Sequence, residues 1–299
     1  MRPIPGGRFS MGSDRHYPEE APSRLVEVDS FEMDETPVTN HQFAQFVKGT
    51  GYVTFAERPP DPADYPGIAP EMIRAGSLLF VRPPSPVSTD DALQWWEFSF
   101  GACWAKPHGP DSSLDGIEDH PVVHVVHEDA AAFAAWAGKR LPTEAEWEFA
   151  ARGGLDGADY AWGGELAPGG KLLANYWIGA FPHARARQCA FERTSPVGNF
   201  PTNGYGLTDM IGNVWEWTAD WFGLEHRSIK PCCVPRNPRG ASEAESIDPA
   251  APQVPIGRKV LKGGSHLCAA NYCQRYRPAA RYPQPVDTST SHVGFRCAS

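Results

Sequence analysis

Thirty prolines and 29 glycines are spread through the 299 residues of this chain, and a chain so punctuated cannot run long helices or strands. Proline removes a backbone donor and locks φ, while glycine weakens regular elements through its entropy. Such a chain must be pinned by side chains, and its ten tryptophans supply large apolar surfaces for that purpose. The pattern indicates an α+β fold, loop-rich and low in regular secondary structure. Apolar residues make up 41% and charged residues 21%, the balance of a globular chain. No long linker interrupts it, so a single domain over residues 1–299 is expected.

The formal net charge is −9, which disfavours nucleic acid or an anionic membrane as a partner. No basic and apolar leader opens the sequence, and no apolar run approaches the roughly 18 residues of a membrane span. A monomer in the cytoplasm is the expectation. Seven cysteines is an odd number without regular spacing, unlike a disulfide framework, so most should be free thiols. Cys232 and Cys233 lie in a Pro-rich stretch and read as an incidental loop pair. Cys103 and Cys297 read as small buried apolar residues.

Three helices can be placed from local signals. Thr39 and Gln42 form a capping box with Val38 and Phe43 as its staple, predicting a helix over 40–48 that ends at Gly49. Residues 128–137 are Ala-rich and stop at Gly138. Thr143 with Glu146 opens a third helix that ends near Gly153. The β-branched run 122–126 suits a buried strand, and 214–218 alternates like a half-buried one. Residues 85–113 read as a long loop tied down by Trp95, Trp96 and Trp104. Residues 226–254 read as a mobile insertion.

Three groups of residues invite a chemical reading. Cys268 and Cys273, five positions apart after Gly263-Gly264, can converge on one soft metal ion. Thiolates favour Cu(I), zinc or iron–sulfur clusters, and two thiols fall short of a four-sulfur zinc site. A two-coordinate Cu(I) site with room for a third ligand fits, while an incidental pair or a disulfide stays open on spacing alone. His120 and His124 would lie about 13 Å apart along a strand, too far to share one metal, and read as hydrogen-bonded structural groups. Asp209 and Glu216 flank a Gly turn and can wrap a hard cation such as Ca²⁺.

Several motifs together resemble the formylglycine-generating enzymes, the sulfatase-activating oxidases. They are Pro5-Gly6-Gly7-Arg8-Phe9-Ser10-Met11-Gly12, His120-Pro121-Val122, Arg140-Leu141-Pro142-Thr143-Glu144-Ala145-Glu146-Trp147-Glu148 and Asn203-Gly204-Tyr205-Gly206-Leu207. Gly212-Asn213-Val214-Trp215-Glu216-Trp217 and the thiol segment complete the set, closed by Gly294-Phe295-Arg296-Cys297. The resemblance spans nearly the whole chain. Most motifs mark the wider superfamily, and the paired cysteines narrow it to the copper oxidases. It implies a variant of the C-type-lectin-like fold.

The resemblance implies that Cys268 and Cys273 hold Cu(I), with Ser265, Trp215 and Tyr272 as active-site residues. It implies oxidation by O₂ of a cysteine in a Cys-x-Pro-x-Arg motif of a sulfatase polypeptide to Cα-formylglycine. It also implies calcium at the Asp209 and Glu216 side chains with the carbonyls of Gly212 and Val214. A second calcium site corresponds to Asn175 and the carbonyl of Tyr176, but its Asp is replaced here by Cys189, two residues before Phe191. A thiol is a poor calcium ligand. Some members carry a His after the first metal Cys, where this chain has Ala269. Iron-dependent sulfoxide synthases resemble this domain but add an N-terminal helical domain with His ligands, for which the chain leaves no room before Pro5. Non-catalytic relatives on the same fold would lack both thiols.

Overall fold

The computed structural model describes residues 1–63, 65, 67, 69–224 and 234–299. Its regular elements are short. The strands are β1 (Arg2–Ile4), β2 (Gly7–Met11), β3 (Arg24–Val28), β4 (Phe31–Met33), β5 (Gly76–Phe80), β6 (Trp96–Phe100), β7 (Trp215–Trp221), β8 (Arg258–Lys262), β9 (Arg281–Pro285) and β10 (Val293–Gly294). The helices are α1 (Asn40–Thr50), α2 (His127–Trp136), α3 (Glu144–Arg152) and α4 (Glu243–Ser246). Six strands pair off in ribbons, β1–β4, β2–β3 and β5–β6, and a four-stranded sheet runs β10-β7-β8-β9. β7–β8 and β8–β9 are antiparallel, whereas β10 joins β7 in parallel. The loop-rich α+β expectation holds.

Local capping chemistry set two of the helices as read. Thr39 Oγ1 accepts from the Gln42 N–H while the Gln42 side chain accepts from the Thr39 N–H, and Thr143 with Glu146 repeats the arrangement. α3 ends at Gly153 in the left-handed region, as expected. α1 runs past Gly49 to Thr50 and is capped by Gly51 at φ 71°, whose N–H reaches the Val47 carbonyl. The correct stop is therefore the second glycine, because Gly49 keeps its helical conformation. α2 begins at His127, where the Asp129 carboxylate accepts from the Val126 N–H.

Four other expectations change. Residues 122–126 are buried but form no strand: His124 sits at φ 60°, which breaks extended pairing. Val122 and His124 instead donate to the carbonyls of Val38 and Thr290. β7 is an inner strand between β8 and β10, so Trp215, Glu216, Trp217 and Thr218 are all buried rather than alternating. Within 85–113 lies β6, which pairs with β5 in register from Gly76↔Phe100 to Phe80↔Trp96. Of the supposed insertion, residues 225–233 with Cys232 and Cys233 lie outside the described residues. The part from 234 onward is anchored, with Pro235 and Trp221 carbonyls accepting from Glu27 and Ala241, and it contains α4.

The main core gathers Phe43, Phe133, Trp104, Trp147, Trp217 and Phe295, among others. A smaller cluster of Phe80, Trp95, Trp177, Phe181, Leu267 and Ala269 lies beside it. Through this apolar interior run buried charges. Glu148, 1% exposed, accepts from Gly12 N–H at 2.8 Å and Lys262 Nζ at 2.9 Å, and pairs with Arg152 at 2.7 Å. Burial alone would raise its carboxyl, but Lys262, Arg152 and the Gly12 N–H outweigh that and hold it down at about 2.

A carboxyl whose folded value lies below its unfolded value of about 4.3 stabilises above that pH and loses the contribution as pH falls toward 2. The shift corresponds to roughly 3 kcal/mol. Urea unfolding of the wild type should therefore weaken between pH 5 and 2.5. Glu148→Gln should be less stable at pH 7 by about 3–5 kcal/mol, since two buried cations lose an anion, and should lose much of that acid dependence. An unchanged pH slope in the variant would assign the acid limb to other groups.

Candidate active site

Strand β8 leaves the sheet into Gly263 and Gly264, at φ 91° and 71°. A Cβ on Gly264 would lie 2.7 Å from the Arg275 carbonyl oxygen, so only glycine lets the returning loop close this tightly. Within the loop Cys268 N–H donates to the Ser265 carbonyl at 3.0 Å, and Cys273 N–H to the Ala269 carbonyl at 2.9 Å. These turns fold the four intervening residues into one corner. The two sulfurs end 3.2 Å apart, well beyond the roughly 2.05 Å of a disulfide, and both cysteines are free.

The two thiols differ in setting. Cys268 is 2% exposed, and burial, then its neighbour Cys273, pushes its thiol up. Cys273 is pulled down, first by the bond from the Cys268 thiol and then by the Arg275 guanidinium. Arg275 Nη1 lies 3.8 Å from Cys273 Sγ, held by Glu19 at 3.1 Å from its Nε and by the Tyr17 ring at 3.8 Å. Two polarizable sulfurs this close, one inclined to ionise, fit a single soft metal ion. The donor set thus suits copper and does not suit a hard cation.

The sulfurs line a cavity of about 360 Å³ that also exposes Trp95, Phe181, Trp215, Ser265, Tyr272, Gln284 and His292. The structure thus brings together all five expected active-site residues. Ser265 is fully buried, and its hydroxyl accepts from the Leu267 N–H at 3.2 Å. Tyr272 stacks on Phe181 with centroids 4.6 Å apart and meets Trp95 edge-on. Trp215 both walls the cavity and belongs to the main core. Ala269 is fully buried, and its backbone bridges that of Trp177.

Sequence reasoning passed over Arg275 and His292. Arg275 was visible only as part of an Arg-rich run, since its contact with Cys273 depends on Glu19 and Tyr17 from the distant N-terminus. His292 hydrogen-bonds through Nδ1 to Thr290 Oγ1 at 2.7 Å and lies 4.8 Å from the Trp96 ring. Burial lowers it to about 3, so it faces the cavity as a neutral ring. His120 and His124 are hydrogen-bonded apart from each other, to Thr194 Oγ1 and to Ser77 Oγ and the Pro107 carbonyl.

The calcium assignments meet a mixed geometry. Asp209 keeps Oδ1 buried without a protein partner, while Oδ2 accepts from Gly198 N–H at 2.7 Å. Asp209 lines a small cavity of about 40 Å³, and an unpartnered carboxylate oxygen fits a cation. Glu216 does not: both its oxygens bond Arg296, and one also accepts from Trp147 Nε1 at 2.7 Å. Its side chain is thus a buried ion-pair anchor rather than an open ligand. Gly212, at φ 78°, packs against the Asn175 carbonyl, and Val214 is buried in the core-facing turn before β7. At the second site Asn175 Oδ1 accepts from Arg185 Nη2 at 3.0 Å, so the residues present do not leave that oxygen to a metal. Neighbouring Tyr176 packs on Tyr276 at 4.9 Å between ring centroids.

The family model described as a sulfatase-modifying factor enzyme 1-like domain matches residues 1–299. The chain is 52% identical over 299 residues to a formylglycine-generating enzyme of Mycobacterium tuberculosis, covering 99% of this chain and 96% of the relative. It is 46% identical over 310 residues to a formylglycine-generating enzyme of Thermomonospora curvata, covering 100% and 93%. Among solved structures, PvdO from Pseudomonas aeruginosa shares the fold with a TM-score of 0.65 at 22% identity, covering 99% of this chain and 92% of that one. With two thiols converging at the floor of a cavity on this scaffold, the chain belongs to the sulfatase-modifying factor enzyme 1-like family.

Proposed function

We propose that this protein converts a cysteine of a sulfatase polypeptide to Cα-formylglycine, as an oxidoreductase that uses copper and O₂. The observation that carries the reading is the Cys268–Cys273 sulfur pair, 3.2 Å apart at a cavity of about 360 Å³. It stands in a chain 52% identical to an enzyme of that name. The cavity has room for a cysteine side chain of an extended peptide and is walled by the rings of Trp95, Phe181, Trp215 and Tyr272. Cys268 and Cys273 would hold Cu(I) as thiolates. When bound, copper supplies the redox chemistry toward O₂ that no protein side chain provides.

The chain's own residues do the rest. Arg275 offsets negative charge on the thiolate pair, which low-dielectric burial would otherwise penalise. Ser265 donates its backbone N–H to Cys268 Sγ at 3.4 Å, and its hydroxyl is held by the Leu267 N–H. Tyr272, locked face to face on Phe181, supplies a flat wall at the cavity mouth. His292 stays neutral and offers a ring nitrogen without adding charge. The net change at the substrate is loss of two electrons and two protons from the Cβ–SH unit to O₂, giving a thioaldehyde that water hydrolyses to the aldehyde with release of hydrogen sulfide, while an external reductant supplies the other two electrons that take O₂ to water. The Asp209 Oδ1 orphan supports one calcium ion there, with the Gly212 and Val214 carbonyls as the remaining proposed ligands and Glu216 excluded.

Mass spectrometry of a Cys-x-Pro-x-Arg peptide incubated with protein, copper, reductant and air should show an aldehyde product. Cys268→Ser and Cys273→Ser should fold normally by circular dichroism yet produce none. Full turnover by either variant would refute the paired-thiolate site. Competition with a Cu(I) chelator should find one tightly bound ion in the wild type, weakened at least 100-fold in each variant. Ser265→Ala should keep that copper affinity while kcat/KM falls about 10–100-fold, on the order of 1.4–2.8 kcal/mol. Equal losses in copper affinity and turnover would make Ser265 a structural support of Cys268.

A further inference from the structure

Arg185 reaches inward from the loop between Trp177 and Cys189 to atoms that a cation would be expected to occupy. Its Nη2 donates to Asn175 Oδ1 at 3.0 Å, its Nη1 donates to the Glu192 carbonyl at 3.0 Å, and its guanidinium carbon lies 5.2 Å from the Trp177 ring centroid. Its Nε is buried without a hydrogen-bond partner, so the guanidinium is held through its two Nη groups and the Trp177 ring. Asn175 itself is 5% exposed. We propose that the Arg185 guanidinium is a built-in cation at Asn175, holding without metal the loop that calcium would otherwise organise.

Charge and space both favour this. Where a carboxylate and a divalent ion would together carry a charge of +1, a thiol at Cys189 and a guanidinium at Arg185 carry the same. Calcium needs oxygens at about 2.3–2.6 Å. An ion that close to Asn175 Oδ1 would meet the guanidinium already bonded to that oxygen, a like-charge contact without an intervening carboxylate ligand. Cys189 Sγ instead lies 3.9 Å from the Ile178 carbonyl.

The substitution matters because of what Asn175 carries. Its Nδ2 donates to the Arg193 carbonyl at 2.9 Å and to Asn213 Oδ1 at 3.3 Å, and its own carbonyl accepts from the Asn213 N–H at 2.7 Å. Asn213 Oδ1 also accepts from Ser195 N–H, and its carbonyl receives both the His266 N–H and His266 Nδ1. Two residues on from Asn175, the Trp177 N–H donates to the Cys268 carbonyl at 2.9 Å. Arg185 therefore acts as a positioning residue, fixing a segment that flanks the thiol loop.

The test uses metal-stripped full-length protein, calcium titration calorimetry and thermal unfolding, and it is independent of the copper reading because no readout involves Cys268, Cys273 or turnover. Arg185→Gln should lower the unfolding midpoint in EDTA by about 3–6 °C, with circular dichroism still native. The double variant Arg185→Ser with Cys189→Asp should bind one calcium equivalent more than the wild type, and its midpoint should rise when calcium replaces EDTA. Cys189→Asp alone should gain no equivalent, because Arg185 would pair with the new carboxylate. The Asp209 site is common to all three proteins and cancels in the comparison. A calcium equivalent in Asp209→Asn that disappears on adding Asn175→Ala would overturn the proposal. So would a folded double variant that gains no calcium, or an Arg185→Gln protein as stable as the wild type.

Discussion

Four buried carboxylates, each gripped by buried cations, tie this loop-rich chain together. Glu20 pairs with Arg277, Glu144 with Arg281, Glu148 with Lys262 and Arg152, and Glu216 with Arg296. Each joins segments far apart in sequence: the N-terminal loop to the thiol segment, α3 to β8 and β9, and β7 to the segment that follows β10. Arg296 also donates to the carbonyls of Asp34, Glu35, Thr208 and Asp209, serving backbone that no sheet satisfies. A loop fold buries many such groups, and unpaired ones are costly. Buried pairs of this kind contribute little net stability against an apolar alternative, yet breaking one leaves an uncompensated charge. Each holds distant segments of the chain in contact.

The active site inherits that arrangement. Arg277 and Lys262 bracket the thiol segment from its two ends, and the Gly263–Gly264 turn folds it back beneath Arg275. Once the ends are held, the short turns at Ser265 and Ala269 leave the two sulfurs no choice but to meet. The asymmetry between them follows from placement, Cys268 toward the core and Cys273 toward Arg275 and the cavity. Arg275, which joins Cys268 in lowering the second sulfur, is held by Glu19 and Tyr17, residues near the N-terminus that no local pattern connects to it.

Cation sites on this scaffold turn on the same accounting of oxygens and charges. Asp209 leaves one oxygen unclaimed, whereas Glu216 spends both on Arg296 and Trp147, and Asn175 gives its oxygen to Arg185. A carboxylate in a suggestive motif is therefore not a ligand until its hydrogen bonds have been counted. The glutamate of the Trp215-Glu216-Trp217 run illustrates this: its position in sequence invites a metal, and its burial beside an arginine consumes it.

The capping boxes at Thr39 and Thr143 were legible because both partners lie three residues apart, and the paired thiols because their turn is local. Composition alone foretold short elements and aromatic packing. The strand expected at 122–126 failed because His124 takes a left-handed conformation imposed by Ser77, Pro107 and Thr290, all remote in sequence. The two-sided burial of β7 was hidden for a similar reason, since β10 joins it from the far end of the chain. What the sequence by itself determined was the chemistry available: two soft donors, a scaffold without long elements, and a missing carboxylate at Cys189. Which charges neutralise which, and therefore where a cation can sit, was decided only by tertiary structure, because electrostatic pairing depends on distance in space and not on separation along the chain.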